Sequence, residues 1–204
     1  MQALLLERGV VLRQGRRVLA AWADEALAEP AGDGLSARIR LLLADMRAEW
    51  AELDRRIGAF DEEFAPSARQ NEAARRLATV PGIGPINANA LVAAVGDAGA
   101  FARARDLAAW LGLVPKQSST GGRSKLLGIT RRGSRYLRKN LIHGARAIMP
   151  KLATGDTRLE AWVRGLLARA HKNTAVVALA NKLARIAWAV LARGRPYEAA
   201  MAAG

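Results

Sequence analysis

The chain has no cysteine in 204 residues. Disulfides, thiolate nucleophiles and Cys-based zinc sites are therefore excluded. Its two histidines, His143 and His171, lie far apart and argue against a His-built metal site. No secretory signal is evident, and no uninterrupted apolar run reaches membrane length. The best candidate run, residues 175–192, is broken by Asn181, Lys182 and Arg185. The cytoplasm, or the nucleoid within it, is the expected location. Alternating apolar strands, internal repeats and low-complexity tracts are also missing, so the expected class is all-α. A further absence is of one charge sign: residues 107–155 hold no Asp or Glu, against ten Lys or Arg.

What is present is a strong and uneven positive charge. The net charge is +14, but residues 1–70 carry net −2 and residues 71–204 net +16. Two regions with two jobs are expected, 1–70 a helical connector and 71–204 a helical domain. The second region should attract a polyanion, with an affinity that falls steeply with salt. A membrane surface is the weaker rival, because the cations gather in a Gly-rich segment rather than along one amphipathic face.

Residues 2–29 predict one or two helices ending before Pro30, followed by a linker, Ala31-Gly32-Asp33-Gly34. Ser36 can cap the next helix, 36–64. There Ile39, Met46, Leu53 and Phe60 recur every seven residues, as do Leu43, Trp50, Ile57 and Phe64. Interleaved, they form the seam of a coiled coil, intermolecular or antiparallel. A long helix packed on its own domain is the simpler alternative, and Gly58 weakens the seam. Pro66 is expected to end this helix. Further helices are expected at 70–79, from Pro85 to about Val95, at 106–113, from Ser134 to Met149 with a break at Pro150, from a Thr157/Glu160 capping box to about Arg169, and from about Thr174 to Ala192. Residues 114–130 are expected to be a loop.

Three segments could handle phosphate. Residues 77–95 fit a helix-hairpin-helix around Val80-Pro81-Gly82-Ile83-Gly84-Pro85. Gly82 and Gly84 allow a tight turn and close approach to a ligand, and freed amides at a helix N-terminus can hold a DNA phosphate. A Gly-Pro turn between packed helices is the structural alternative. The loop Lys116-Gln117-Ser118-Ser119-Thr120-Gly121-Gly122-Arg123 combines hydroxyls with cations, and Lys125, Arg131 and Arg132 add more. An oriented hydroxyl with cations around it can attack phosphorus; a polar loop that only binds phosphate is the commoner outcome. Finally, Arg131, Arg135, Arg138 and Lys139 should share one phosphate-tracking helical face without acids between them. His143 is expected as a packed helix histidine, with a general base the weaker alternative, Asn181-Lys182 as structural or a phosphate contact, and Trp110 and Trp188 as core.

The run Leu77-Ala-Thr-Val-Pro-Gly-Ile-Gly-Pro, then Val95-Gly-Asp, Phe101 and Asp106-Leu-Ala-Ala-Trp-Leu-Gly-Leu-Val-Pro115, resembles the C-terminal half of bacterial insertion-sequence transposases. The family is the one named after insertion sequences one-hundred-ten, one-hundred-sixteen and nine-hundred-two. Gln117 to Gly122, Leu127-Gly128-Ile129-Thr130-Arg131-Arg132-Gly133, Tyr136-Leu137-Arg138, Gly144-Ala145-Arg146-Ala147 and the run from Ala180 to Trp188 continue the match. The resemblance covers about residues 75–195, and residues 1–70 resemble the helical connection upstream of that half. It implies a serine-dependent, RNA-guided DNA recombinase. The nucleophile implied is Ser119, just before the glycine pair, with Ser118 the second choice. It also implies DNA and a guide RNA as partners, and either a homo-oligomer or association with a full-length transposase. A non-enzymatic nucleic-acid-binding or oligomerisation protein, a decayed transposase, is the alternative. Family members begin with an acidic, RNase H-like domain that binds divalent metal, and no such strands are present here. The chain is thus expected to be a C-terminal portion that binds no cofactor itself, magnesium belonging to the acidic domain.

Overall fold

A computed structural model describes residues 1–28, 35–155 and 157–199. Pro30 and the expected linker 31–34 lie outside the described residues. Two compact units divide at Glu62/Glu63.

The first unit holds α1 (Gln2–Leu6), α2 (Arg16–Ala28) and most of α3 (Ala37–Gln70). Its core is small: Ala23 and Ala26 of α2 meet Leu35, Ile39 and Leu43. Ser36 caps α3, its Oγ accepting from the Ile39 amide at 3.4 Å. Polar contacts extend this packing. Arg47 reaches Asp24 through two nitrogens at 2.7 and 2.9 Å. Arg16 pairs with Asp54, and both Arg16 and Arg47 lie over the Trp50 ring at 5.0 and 5.6 Å. Along the heptad stripe Ile39 and Leu43 are buried, but Leu53, Ile57 and Phe60 are 48–55% exposed.

Pro66 does not end α3; the helix continues to Gln70. Proline fits a helical φ and removes one i→i−4 hydrogen bond, a loss the last turns absorb. The break falls instead at Asn71, whose Oδ1 accepts from the Ala74 amide at 3.0 Å and starts α4 (Glu72–Leu77). Pro150 likewise lies inside α7 (Arg135–Leu152) rather than breaking it.

The second unit is built round α9 (Lys172–Arg193), whose Ala175, Val176, Leu179, Ala180, Leu183, Ala184, Ile186, Ala187 and Val190 are buried. α4, α6 (Ala104–Trp110), α7 and α8 (Arg158–Leu167) pack against it. α9 is long and apolar enough to cross a membrane, yet half of its apolar window is buried inside the fold, as in the core helix of a globular protein. α5 (Pro85–Val95) starts at its proline, with Gly84 as N-cap and Gly96 as C-cap. The Thr157–Glu160 capping box starts α8: the Thr157 amide donates to Glu160 at 2.6 Å and the Glu160 amide to Thr157 Oγ1 at 3.4 Å. Trp188 Nε1 donates to the Phe101 carbonyl at 3.0 Å, whereas Trp110, expected in the core, is 40% exposed.

The fold is mostly helical, but residues 114–130 are not a loop. β1 (Pro115–Thr120) and β2 (Arg123–Ile129) form an antiparallel hairpin. Neither strand alternates apolar and polar residues, because neither face is buried. The legible signal was the two-residue turn, Gly121-Gly122. Both have positive φ, +57° and +77°, as the turn favoured in tight hairpins requires.

Candidate nucleic-acid interface

The hairpin carries seven of the expected site residues: Lys116, Ser118, Ser119, Gly121, Gly122, Arg123 and Lys125, all exposed. Directly opposed residues of an antiparallel pair share a face. Ser118 opposes Lys125 and Thr120 opposes Arg123, while Ser119 opposes Ser124 and Gln117 opposes Leu126. One face therefore carries Ser118, Thr120, Arg123 and Lys125, while Lys116 lies where the register shifts between Pro115 and Gln117. The other carries Gln117, Ser119, Ser124 and Leu126. The two candidate serines lie on opposite faces. Ser119 Oγ accepts from Gln117 Nε2 at 3.0 Å, a neighbour the sequence reading passed over.

The base of the hairpin is pinned by residues expected to do other work. Arg138 is not on an exposed phosphate-tracking face; it is buried, 9% exposed. Its Nη1 donates to the Leu111 carbonyl at 3.1 Å and the Arg132 carbonyl at 2.9 Å, one on each side of the hairpin. Asn181 Nδ2 donates to the Leu113 carbonyl at 3.0 Å, and the Thr130 amide to the Val114 carbonyl at 2.9 Å. The backbones here touch closely. A Cβ on Gly133 would overlap the Trp110 carbonyl oxygen, and one on Gly112 the Arg132 carbonyl oxygen.

Arg131 and Arg132 precede α7 and are exposed, as are Arg135 and Lys139 on it. His143, expected as a packed residue, is exposed too, and Arg146 joins the same face of α7. The exposed face is thus Arg135, Lys139, His143 and Arg146. Among the described residues, the ion pairs within 4 Å involve none of Lys116, Arg123, Lys125, Arg135, Lys139 or Arg146.

Gly82 and Gly84 flank the turn between α4 and α5. Gly82 has φ +81°, and a Cβ there would come within 2.9 Å of the Gly144 carbonyl oxygen. Its close approach is to α7. Gly84 is different: it is exposed, and a Cβ on it meets nothing within 4 Å. Beside it, Pro85, Ile86, Asn87, Asn140, His143 and Gly144 line an open groove of about 390 Å³. Asn87 Nδ2 donates across it to the Asn140 carbonyl at 3.3 Å.

No group of three or more His, Asp or Glu that could hold a metal ion occurs among the described residues. The donor set here does not fit a divalent metal. What it fits is an anion, met by exposed cations, hydroxyls and a helix N-terminus.

The exposed hairpin thus displays cations, hydroxyls and paired glycines together on a surface without acids. The family described as Transposase IS116/IS110/IS902 matches over residues 74–159, which include the whole hairpin, and the chain belongs to that family. It is 43% identical over 198 residues to the "Probable family 20 transposase" of Pseudomonas aeruginosa, a match spanning 96% of this chain and 58% of that protein. It is 38% identical over 196 residues to the transposase for insertion sequence element IS1111A of Coxiella burnetii, spanning 96% and 54%. It is 40% identical over 197 residues to the transposase for IS1328 of Yersinia enterocolitica, spanning 97% and 58%. The chain spans little more than half the length of these relatives.

Proposed function

We propose that this chain is a DNA-binding, serine-bearing part of an insertion-sequence transposase, acting in DNA transposition or recombination. One observation carries the reading. Within the segment that matches the family, Ser119 stands exposed on a basic hairpin, in a stretch of ten cations and no acid. In the proposed step the Ser119 oxygen bonds to a DNA phosphorus and the bond to the leaving strand end breaks. Gln117 holds the Ser119 oxygen as an acceptor, which leaves the hydroxyl hydrogen free to depart. A serine hydroxyl is a weak nucleophile near neutral pH and needs a proton acceptor and charge stabilisation. No acid lies in residues 107–155, and Ser119's face of the hairpin carries no cation. We place the proton acceptor on the acidic domain that the family resemblance implies, since no carboxylate lies in the hairpin's own segment. Magnesium and a guide RNA belong to that larger assembly, as does any partner copy or full-length transposase. The turn at Gly84 and the N-terminus of α5 are proposed as a second, sequence-independent phosphate contact of helix-hairpin-helix type.

The same lack of an acceptor favours a second reading, a non-enzymatic nucleic-acid-binding protein. Denaturing gels of DNA incubated with the chain separate the two. The chain alone should give no covalent adduct. Supplied with the acidic domain, guide RNA and magnesium, it should give one that Ser119→Ala abolishes and Ser118→Ala leaves. Survival in Ser119→Ala with loss in Ser118→Ala would reassign the nucleophile. An adduct in neither wild type nor variants supports the non-enzymatic reading.

A further inference from the structure

We infer that the β1–β2 hairpin enters the major groove of B-form DNA tip first, its cationic face along one phosphate strand and its hydroxyl face toward the other. The inference rests on the DNA-binding reading above and adds how the hairpin engages the duplex. Four observations carry it. First, β1 and all of β2 up to Gly128 are exposed on both faces, so the ribbon stands clear of the fold. An isolated two-stranded ribbon is marginal in water. This one is held at its base by Arg138 and Asn181, and of its residues only Ile129, the last of β2, packs against the core.

Second, its charge is sorted by face. Arg123 and Lys125 lie on one side, and Ser119, Ser124 and Gln117 on the other. A ribbon lying flat on a polyanion would use one face. A ribbon wedged between two phosphate strands presents a different face to each.

Third, the tip is slim. Between Ser118 and Lys125, Ser, Thr and Gly fill every position except that of Arg123. Two packed β-layers are spaced about 10 Å apart, a guide to the thickness of a ribbon with its side chains. The B-DNA major groove is about 12 Å wide and about 8.5 Å deep, and it admits a two-stranded ribbon. At about 3.3 Å per residue, three residues per strand fill that depth. Those residues are 118–120 and 123–125.

Fourth, the apolar Leu126 and Leu127 are 68% and 46% exposed and sit just above this segment, outside the inserted part. Double-stranded RNA is a poor alternative, because its A-form major groove is too deep and narrow for side chains to read.

The full chain can be tested by fluorescence anisotropy against a short mixed-sequence DNA duplex and an RNA duplex of the same sequence. Gly121→Asn and Gly121→Asp both suit the turn, since Asn-Gly and Asp-Gly favour it, and a Cβ on Gly121 meets nothing within 4 Å. They differ in charge at the tip alone. Insertion predicts that Gly121→Asp binds DNA about tenfold more weakly than Gly121→Asn at low salt. Arg123→Gln with Lys125→Gln should lower the log–log salt slope by about 2. Equal affinities for the two Gly121 variants overturn tip-first insertion. Equal affinities for the DNA and RNA duplexes overturn the major-groove assignment. If wild type binds and every hairpin variant matches it, the inference fails alone and binding passes to the exposed face of α7. If wild type binds neither duplex, the DNA-binding reading fails with it.

Discussion

Arg138 shows how much one residue's burial can change its meaning. In the sequence it stands among Arg135 and Lys139 and looks like one more phosphate contact. Its helical position tells against that. It falls on the arc of Leu137, Leu141, Ala145 and Met149, which are buried, whereas Arg135, Lys139, His143 and Arg146 fall outside it. A wheel drawn on apolar positions rather than charges would have found it. Arg138→Met leaves the Leu111 and Arg132 carbonyls without this donor and should cost about 1.5–3 kcal/mol in urea unfolding, as for a hydrogen bond to a charged group. A phosphate contact would instead leave stability alone and lower the salt slope of DNA binding by about 1. The glycines divide in the same way. Gly144→Ala drives a methyl into the Gly82 carbonyl oxygen and should destabilise by about 1–3 kcal/mol. Gly84→Ala meets only open space and should leave the melting temperature nearly unchanged. If Gly84 approaches phosphate, DNA affinity falls all the same, and unchanged affinity would make this turn purely structural.

Among the elements, those that announce themselves through local chemistry were legible. Pro85 at the start of α5 and the Thr157/Glu160 box at the start of α8 are examples, because the groups that satisfy the first-turn amides are adjacent in sequence. Pro66 and Pro150 misled because each sits close to a helix C-terminus, where one lost backbone bond does not stop the helix. The hairpin misled because strand patterning reports a buried face, and it has none. Thr157→Ala should destabilise the second unit by about 1 kcal/mol, measured by thermal unfolding. Thr157's bonds to the Glu160 carboxylate hold its pKa below the ordinary glutamate value. The stability this bond adds is therefore present at neutral pH and lost as pH falls through that lowered value, so the variant's deficit should shrink in acid. α3 poses a different question, because Leu53, Ile57 and Phe60 leave half of each side chain in water. Leu53→Asp with Ile57→Asp should keep the helical circular dichroism signal and abolish self-association in sedimentation. A wild type already monomeric at high concentration would show that this stripe does not join copies.

On the scale of the whole chain, charge and architecture divide at nearly the same place. The units part at Glu62/Glu63, and nearly all the excess positive charge belongs to the second. Composition made that division visible, and the family motifs made the second unit's relationship visible. Neither could show which cations face solvent, since exposure depends on packing between distant segments. Asn181 reaching Leu113 across 68 residues is one such contact. The structure leaves Lys116, Arg123, Lys125, Arg131, Arg132, Arg135 and Lys139 exposed and withdraws Arg138. Each phosphate neutralised contributes about −0.9 to the log–log salt slope on B-DNA. If all these exposed cations engage one duplex, titrations across a salt series should give a slope near about −6. A slope near about −3 would confine the contact to the hairpin. Phosphate contacts carry no sequence information, so scrambling the duplex should change the affinity little. A salt-independent affinity, or strong discrimination between duplexes, would mean that the basic half is not the surface that meets DNA.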